Sequence, residues 1–267
     1  MAMTAATTTI EALGRGFRTR ANRYIERLRF VGAMIRSSLN YPATTRPLAL
    51  RVILNQIRFT AVQALPLLTT IAFVIGVTVI VQAHAQAARF GFSEALGKIL
   101  TTVVVRELGP LLTAIIVIGR SGSAIAAELA TNGVLGETEA MESMGVDPHQ
   151  YLVVPRVLGA AISVTLLALF FDAVTLTSGA LFTWMLGQVS IVEYLASLRL
   201  ALVPLDLWLT LAKGSIFGIG IATLCSYEGL LGGRLPTDIP QCVTRGVVSS
   251  MLFVFMVSSI FSLILYT

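Results

Sequence analysis

Charged side chains set inside an otherwise apolar run are where this chain could do chemistry. Between positions 96 and 130 such a run is broken by the adjacent pair Arg106 and Glu107, by Gly109 and Pro110, and again by Arg120 and Glu128. A charge at mid-bilayer depth costs roughly 2.5–3.5 kcal/mol on insertion scales, so these groups must face water, a cavity or other helices. Arg106 and Glu107 then form a polar patch at the mouth of an apolar cavity, which suits a ligand with a charged head and greasy tails. A blander alternative stands beside it: both side chains lie near an interface and simply snorkel. Asp172, alone in a later apolar run, either pairs with a basic residue or stays protonated, and a proton relay would need further acids in register, which are absent. Other chemistries drop out. There is no GxxxxGK[ST] and hence no phosphate-cradling loop, so the chain is not itself an ATPase. With only His84 and His149, a histidine-based catalyst is not expected, and Cys225 and Cys242 sit apart in apolar sequence with no metal or disulfide spacing.

A second polar feature is the stretch from Thr131 to Pro155, flanked on both sides by deeply apolar sequence. Glu137, Glu139, Glu142 and Asp147 give it four negative charges and no Lys or Arg, while Leu135, Met141 and Met144 recur near one face of a short helix. Gly145 is placed to end that helix in the left-handed conformation, and Pro148 cannot continue it. The expected element, about 136–145, is a short amphipathic knob held between two membrane spans.

The elements that must position these residues follow from composition. A chain of 267 residues that is 55% hydrophobic and 12% charged is too apolar for an ordinary soluble domain and reads as an all-α polytopic membrane protein. Ten of its nineteen basic residues, all Arg, lie in the first 58 positions against Glu11 and Glu26 alone. That asymmetry marks a membrane surface rather than nucleic acid, because the arginines are interleaved with apolar residues at helical spacing. From Asn22 to Leu39 an interfacial amphipathic helix is expected, and the first residues lack the apolar core of a cleaved signal peptide. The division is a cytoplasmic N-terminal region over 1–60 and a transmembrane domain over 61–267. Five spans are expected: about Ala61–Ala83, with Pro66 kinking its start; Leu96–Ala130; Leu152–Leu186, read as one long helix; Leu205–Tyr227; and Val243–Tyr266. Lys213 falls near the outer end of the fourth span, where Gly214 and Gly218 are spaced for close helix contact. The small residues Gly119, Ser123 and Ala127 mark a tight packing face, within the subunit or across a two-fold axis. Arg-rich sequence at the start puts the N-terminus and the 131–155 loop in the cytoplasm.

RELGP (106–110), GRSGSAIAAEL (119–129) and ETEAMESMGVDP (137–148), in this order and spacing, resemble the signature of MlaE-type permeases over about residues 60–260. These are membrane subunits of ABC transporters that work with MCE proteins in bacterial lipid trafficking. The resemblance implies a homodimer in the inner membrane, a cytoplasmic ATPase dimer gripping the helix from Glu137 to Met144, and a periplasmic MCE-protein ring. ATP and Mg would be bound by the partner, with no cofactor in this chain. EAMESMG is also similar to the coupling loop of ABC importers, although Met141 replaces its second Ala and Pro155 comes earlier than its closing proline.

The expected function is therefore a non-catalytic permease subunit moving phospholipid or a related lipid between the inner membrane and a periplasmic carrier. Arg106 and Glu107 are assigned to the head group, with Phe73, Val77, Phe253 and Met256 around the tails by depth. Glu137, Glu139, Met141, Glu142, Met144, Gly145 and Asp147 are assigned to ATPase coupling. Two other classes compete: an ion-gradient-driven transporter of a small solute, which would want more intramembrane acids and inverted repeats, and a non-transporting envelope scaffold.

Overall fold

The computed structural model describes residues 32, 46–90, 100–186, 191–232 and 235–266. The amphipathic helix expected over Asn22–Leu39 lies outside the described residues apart from position 32. Among the described residues there is no strand, and five helical stretches are long and apolar enough to cross a membrane: Leu50–Ala83, Thr101–Val134, His149–Met185, Pro204–Leu231 and Pro236–Leu265.

The first stretch is built from α1 (Arg46–Thr60) and α2 (Leu65–Phe90), joined by a 3-10 turn at Val62–Ala64. Pro66 explains the break. It has no N–H for the carbonyl four residues back, so regular hydrogen bonding cannot run through this point. The expected division at residue 60 falls at this turn, but the apolar run starts at Leu50. Exposed Arg51, Asn55 and Arg58 occupy one side of α1 without ending it.

The second stretch alternates two geometries: π-helix at Leu100–Leu108, α3 (Gly109–Val117), π-helix again at Ile118–Gly122, then α4 (Ser123–Val134). Wide π-turns inside α-helices are rare and cluster at functional sites. A seven-residue helix, α5 (Glu137–Ser143), follows before a short π-turn at His149–Val153 leads into α6 (Val154–Leu186). The third span is one unbroken 33-residue helix, consistent with the absence of a proline or polar cluster in its middle. A helix not foreseen from the sequence, α7 (Ile191–Ala201), lies beside α6, anchored by Tyr194, whose buried hydroxyl donates to the carbonyl of Leu176 at 3.0 Å. Burial pushes the Tyr194 phenol up to about 12, so it stays a donor at any physiological pH. The bundle is completed by α8 (Pro204–Leu231) and α9 (Ile239–Tyr266).

The middle of the bundle is α8, packed against α6, α9 and α4, while α6 also carries α1 and α2. Close approach of α8 to α6 depends on missing side chains. A Cβ on Gly218 would lie 2.6 Å from the Ala160 carbonyl oxygen and the Ala161 Cα, and one on Gly214 would lie 2.8 Å from the Thr165 Cα. These glycines do what their spacing implied, bringing two backbones together where dispersion, rather than hydrophobic exclusion, must hold helices in lipid. The fifth span is the least buried of the five.

Candidate functional site

Polar side chains from four spans converge in the half of the bundle away from α5, and the RELGP segment organises them. Pro110 has no N–H to offer the carbonyl of Arg106, four residues earlier. Nζ of Lys213, on α8, donates to that carbonyl at 2.6 Å and to Oε2 of Glu107 at 3.1 Å. Nε of Arg106 meets Oδ1 of Asp206 at 2.6 Å, and Asp206 also accepts the Val203 N–H at 2.9 Å, capping the start of α8. The Ser258 hydroxyl, on α9, donates to Oε2 of Glu107 at 3.5 Å. Thr210 donates to Oδ2 of Asp172 at 3.4 Å. Gly109 leaves the space that Asp172 occupies: a Cβ there would overlap Oδ1 of the carboxylate.

Two opposite-charge pairs, Arg106 with Asp206 and Glu107 with Lys213, thus lie on the faces of the second and fourth spans. Asp206 and Lys213 are fully buried. Such charges persist in a low-dielectric interior only when paired and hydrogen-bonded. Two carboxylate oxygens remain without a hydrogen-bond partner among the described residues, Oε1 of Glu107 and Oδ1 of Asp172.

Beside this network lies a cavity of about 560 Å³ between the second and fifth spans, lined by Glu107, Leu111, Phe255, Ser258, Ser259, Ser262 and Leu263. Its wall is mixed: a carboxylate and three hydroxyls together with aliphatic and aromatic carbon. A head group with hydrogen-bonding and ionic capacity fits the first, and acyl chain the second.

Of the residues assigned to a ligand from sequence, Glu107 lines this cavity. Arg106 is turned to Asp206. Phe253 packs into the contact between α9 and α8, where a Cβ on Gly220 would overlap its ring. Phe73 and Met256 are exposed on the outer surface of the bundle and Val77 is half-buried. Lys213, read from sequence as near the outer end of its span, is buried at the centre of the network. The signal for it was present: Asp206, Thr210 and Lys213 recur at i, i+4 and i+7, one face of a helix. Gly119 is exposed, and Ser123 and Ala127 are half-buried, so this small-residue face is left largely open in the single chain, with nothing within 4 Å of a Cβ on Gly119.

At the opposite end α5 lies at the surface, with no fully buried residue. The two positive-φ residues among those described are Gly136 (φ 73°) and Gly145 (φ 76°), one on each side of it. Gly145 N–H bonds to the Glu142 carbonyl and Val146 N–H to the Met141 carbonyl, both at 2.9 Å, the paired bonds of a Schellman cap. Met141 packs against the core and fixes the helix, while Leu135 and Met144 are 68% and 72% exposed. Glu137, Glu139, Glu142 and Asp147 are all exposed around them. Apolar side chains are thus held out at a polar surface, with a left-handed glycine on each side of the helix.

Residues 53–264 match the protein family described as Permease MlaE. The chain is 31% identical over 208 residues to a probable ABC transporter permease protein of Rickettsia prowazekii, covering 78% of this chain and 80% of the relative. It is 29% identical over 209 residues to the chloroplastic protein TRIGALACTOSYLDIACYLGLYCEROL 1 of Arabidopsis thaliana, covering 78% of this chain and 60% of that one. It is 25% identical over 218 residues to the intermembrane phospholipid transport system permease protein MlaE of Haemophilus influenzae, covering 80% and 83% respectively.

Proposed function

The chain belongs to the MlaE permease family, a family of multi-pass ABC transporter permeases, and from that premise we propose that it moves phospholipid between the inner membrane and a periplasmic MCE-protein carrier. The energy comes from a separate cytoplasmic ATPase dimer, which binds ATP and Mg and docks on α5; two copies of this chain form the transmembrane unit, each with its N-terminus in the cytoplasm.

The observation that carries this reading is the presentation of α5: an acidic helix with exposed Leu135 and Met144, braced by Met141 and by two left-handed glycines. Its chemistry calls for a partner surface with a shallow apolar recess and basic or N–H donors around it. Closure of the ATPase displaces α5, and the displacement passes through α4 into the packing of α4 against α8 and α9. The cavity at Glu107 lies between the spans whose separation that packing sets, so it narrows and its lipid is expelled. Within it the Glu107 and Ser258 to Ser262 wall receives the head group. The Arg106–Asp206 and Glu107–Lys213 pairs hold the walls in register and keep a charged site in lipid affordable.

Two variants test the two ends. Charge reversal of α5, Glu139→Lys with Glu142→Lys, should lower retention of the ATPase on the purified complex and abolish lipid-stimulated hydrolysis; normal retention and stimulation would remove α5 as the docking site. Glu107→Ala together with Arg106→Ala should lower the phospholipid that co-purifies. Unchanged lipid content and transport would mean that these residues serve only the helix packing.

A further inference from the structure

Arg156 has no part in the docking surface or the cavity at Glu107, yet among the described residues it is, with Lys213, one of two buried cations. It sits at the start of α6 with 8% exposure. Its Nη2 lies 2.7 Å from Oε1 of Glu128, a half-exposed side chain in the middle of α4, and its Nη1 donates to the Leu152 carbonyl at 3.1 Å. Glu128 and Arg156 are 28 positions apart, and the segment between them contains α5 with both of its glycine turns. The pair therefore closes this segment at its base and binds the ends of the second and third spans to each other. The bond to Leu152 also pins the π-turn at His149–Val153 to the first turn of α6. The pair also lines a cavity of about 300 Å³, together with Val52, Asn55, Gln56, Phe59 and Ile125.

We propose that Glu128 and Arg156 are positioning residues for transport: their ion pair makes the ends of the second and third spans move as one body when α5 is pushed. Without it, a push on α5 is absorbed by splaying of the two helix ends, because α4 and α6 have little other direct packing on each other. The pair touches neither lipid nor nucleotide. Its loss therefore uncouples hydrolysis from transport and leaves each partner reaction intact. This inference rests on α5 being the ATPase-docking helix.

The experiment uses the complete complex, reconstituted with its ATPase and carrier, and reads three quantities for Glu128→Ala and Glu128→Gln: ATPase subunit retained, ATP hydrolysed, and phospholipid transferred per ATP. Glu128→Ala should keep the ATPase and hydrolyse ATP normally, while transfer per ATP falls roughly tenfold, within the usual range for coupling between two sites. Glu128→Gln keeps an acceptor for the guanidinium and should restore most of the ratio. An unchanged ratio in Glu128→Ala overturns the proposal. So does loss of the ATPase subunit or of folded protein in both variants, since Glu128 would then hold the assembly together rather than transmit motion. The docking reading is judged separately, by ATPase retention in the Glu139→Lys, Glu142→Lys variant: normal retention there overturns the docking reading and the clasp with it, whereas lost retention there with an unchanged ratio in Glu128→Ala overturns the clasp alone.

Discussion

Lys213→Met tests the polar network at its centre, because the substitution keeps much of the side-chain volume and removes the charge that two acceptors share. The Arg106 carbonyl would lose the buried ammonium that donates to it, a loss of roughly 1–3 kcal/mol. Glu107 would lose its counter-charge, and breaking a buried pair from one side costs about 3–5 kcal/mol. Both figures need trimming. Glu107 is 25% exposed and keeps the Ser258 hydroxyl at 3.5 Å, and single interhelical hydrogen bonds in bilayers average nearer 0.6 kcal/mol. The combined loss comes to about 4 kcal/mol, or a fall in melting temperature of about 10 °C at the 2–4 °C per kcal/mol usual for a chain of this size. Adding Glu107→Gln removes the stranded carboxylate and leaves only the lost bond to the Arg106 carbonyl, so the double variant should recover most of the stability, to within about 1 kcal/mol of the parent. Thermal melting of the detergent-solubilised protein, followed by size-exclusion fluorescence, reads both. The reasoning is refuted if Lys213→Met melts within 2 °C of the parent, or if the double variant is no more stable than the single.

Three further outcomes follow from the packing. Gly109→Ala must displace the Asp172 carboxylate and should destabilise by about 1–3 kcal/mol, with Asp172→Ala in the same chain relieving it; both are read by the same melting assay. Gly218→Ala places a methyl 2.6 Å from the backbone of Ala160 and Ala161, where no flexible side chain can yield, so α8 must back away from α6 and the yield of monodisperse protein should collapse. Gly145→Ala forces a Cβ into the left-handed region at φ 76° at about 1–2 kcal/mol; it should fray α5 and weaken ATPase retention while leaving the melting temperature of the spans unchanged.

How much of this was legible in the sequence depends on which contacts a linear reading can see. Hydropathy and helix punctuation are local, so the five spans, the unbroken third helix and the Gly145 turn emerge from the residues that form them. The paired glycines at 214 and 218 also carry their own reason, since few roles other than close helix contact suit small residues four apart in a span. The ion pairs were not legible. Arg106 and Asp206 are 100 positions apart, and hydropathy gives depth along a helix but neither its rotation nor the neighbour it faces. For that reason Phe253 and Met256, chosen by depth, come to lie against α8 and on the outer surface. The break at Val62–Ala64 was half legible: Pro66 announces it, but the bond from Nη1 of Arg120 to the Phe59 carbonyl at 2.9 Å, which satisfies the interrupted backbone, comes from another span. The second helix geometry of the 100–134 stretch has no sequence signal beyond the clustering of Arg, Gly and Pro. Nothing in the composition separated α7 from a connecting loop.

Photo-crosslinking from position 144 in the intact complex tests the account most directly. A photoreactive residue in place of exposed Met144, activated in native membranes, should capture the ATPase subunit, and capture should change in extent when ATP is trapped. If it captures only lipid, a protein on the periplasmic side, or no other chain, α5 does not receive the force that drives transport.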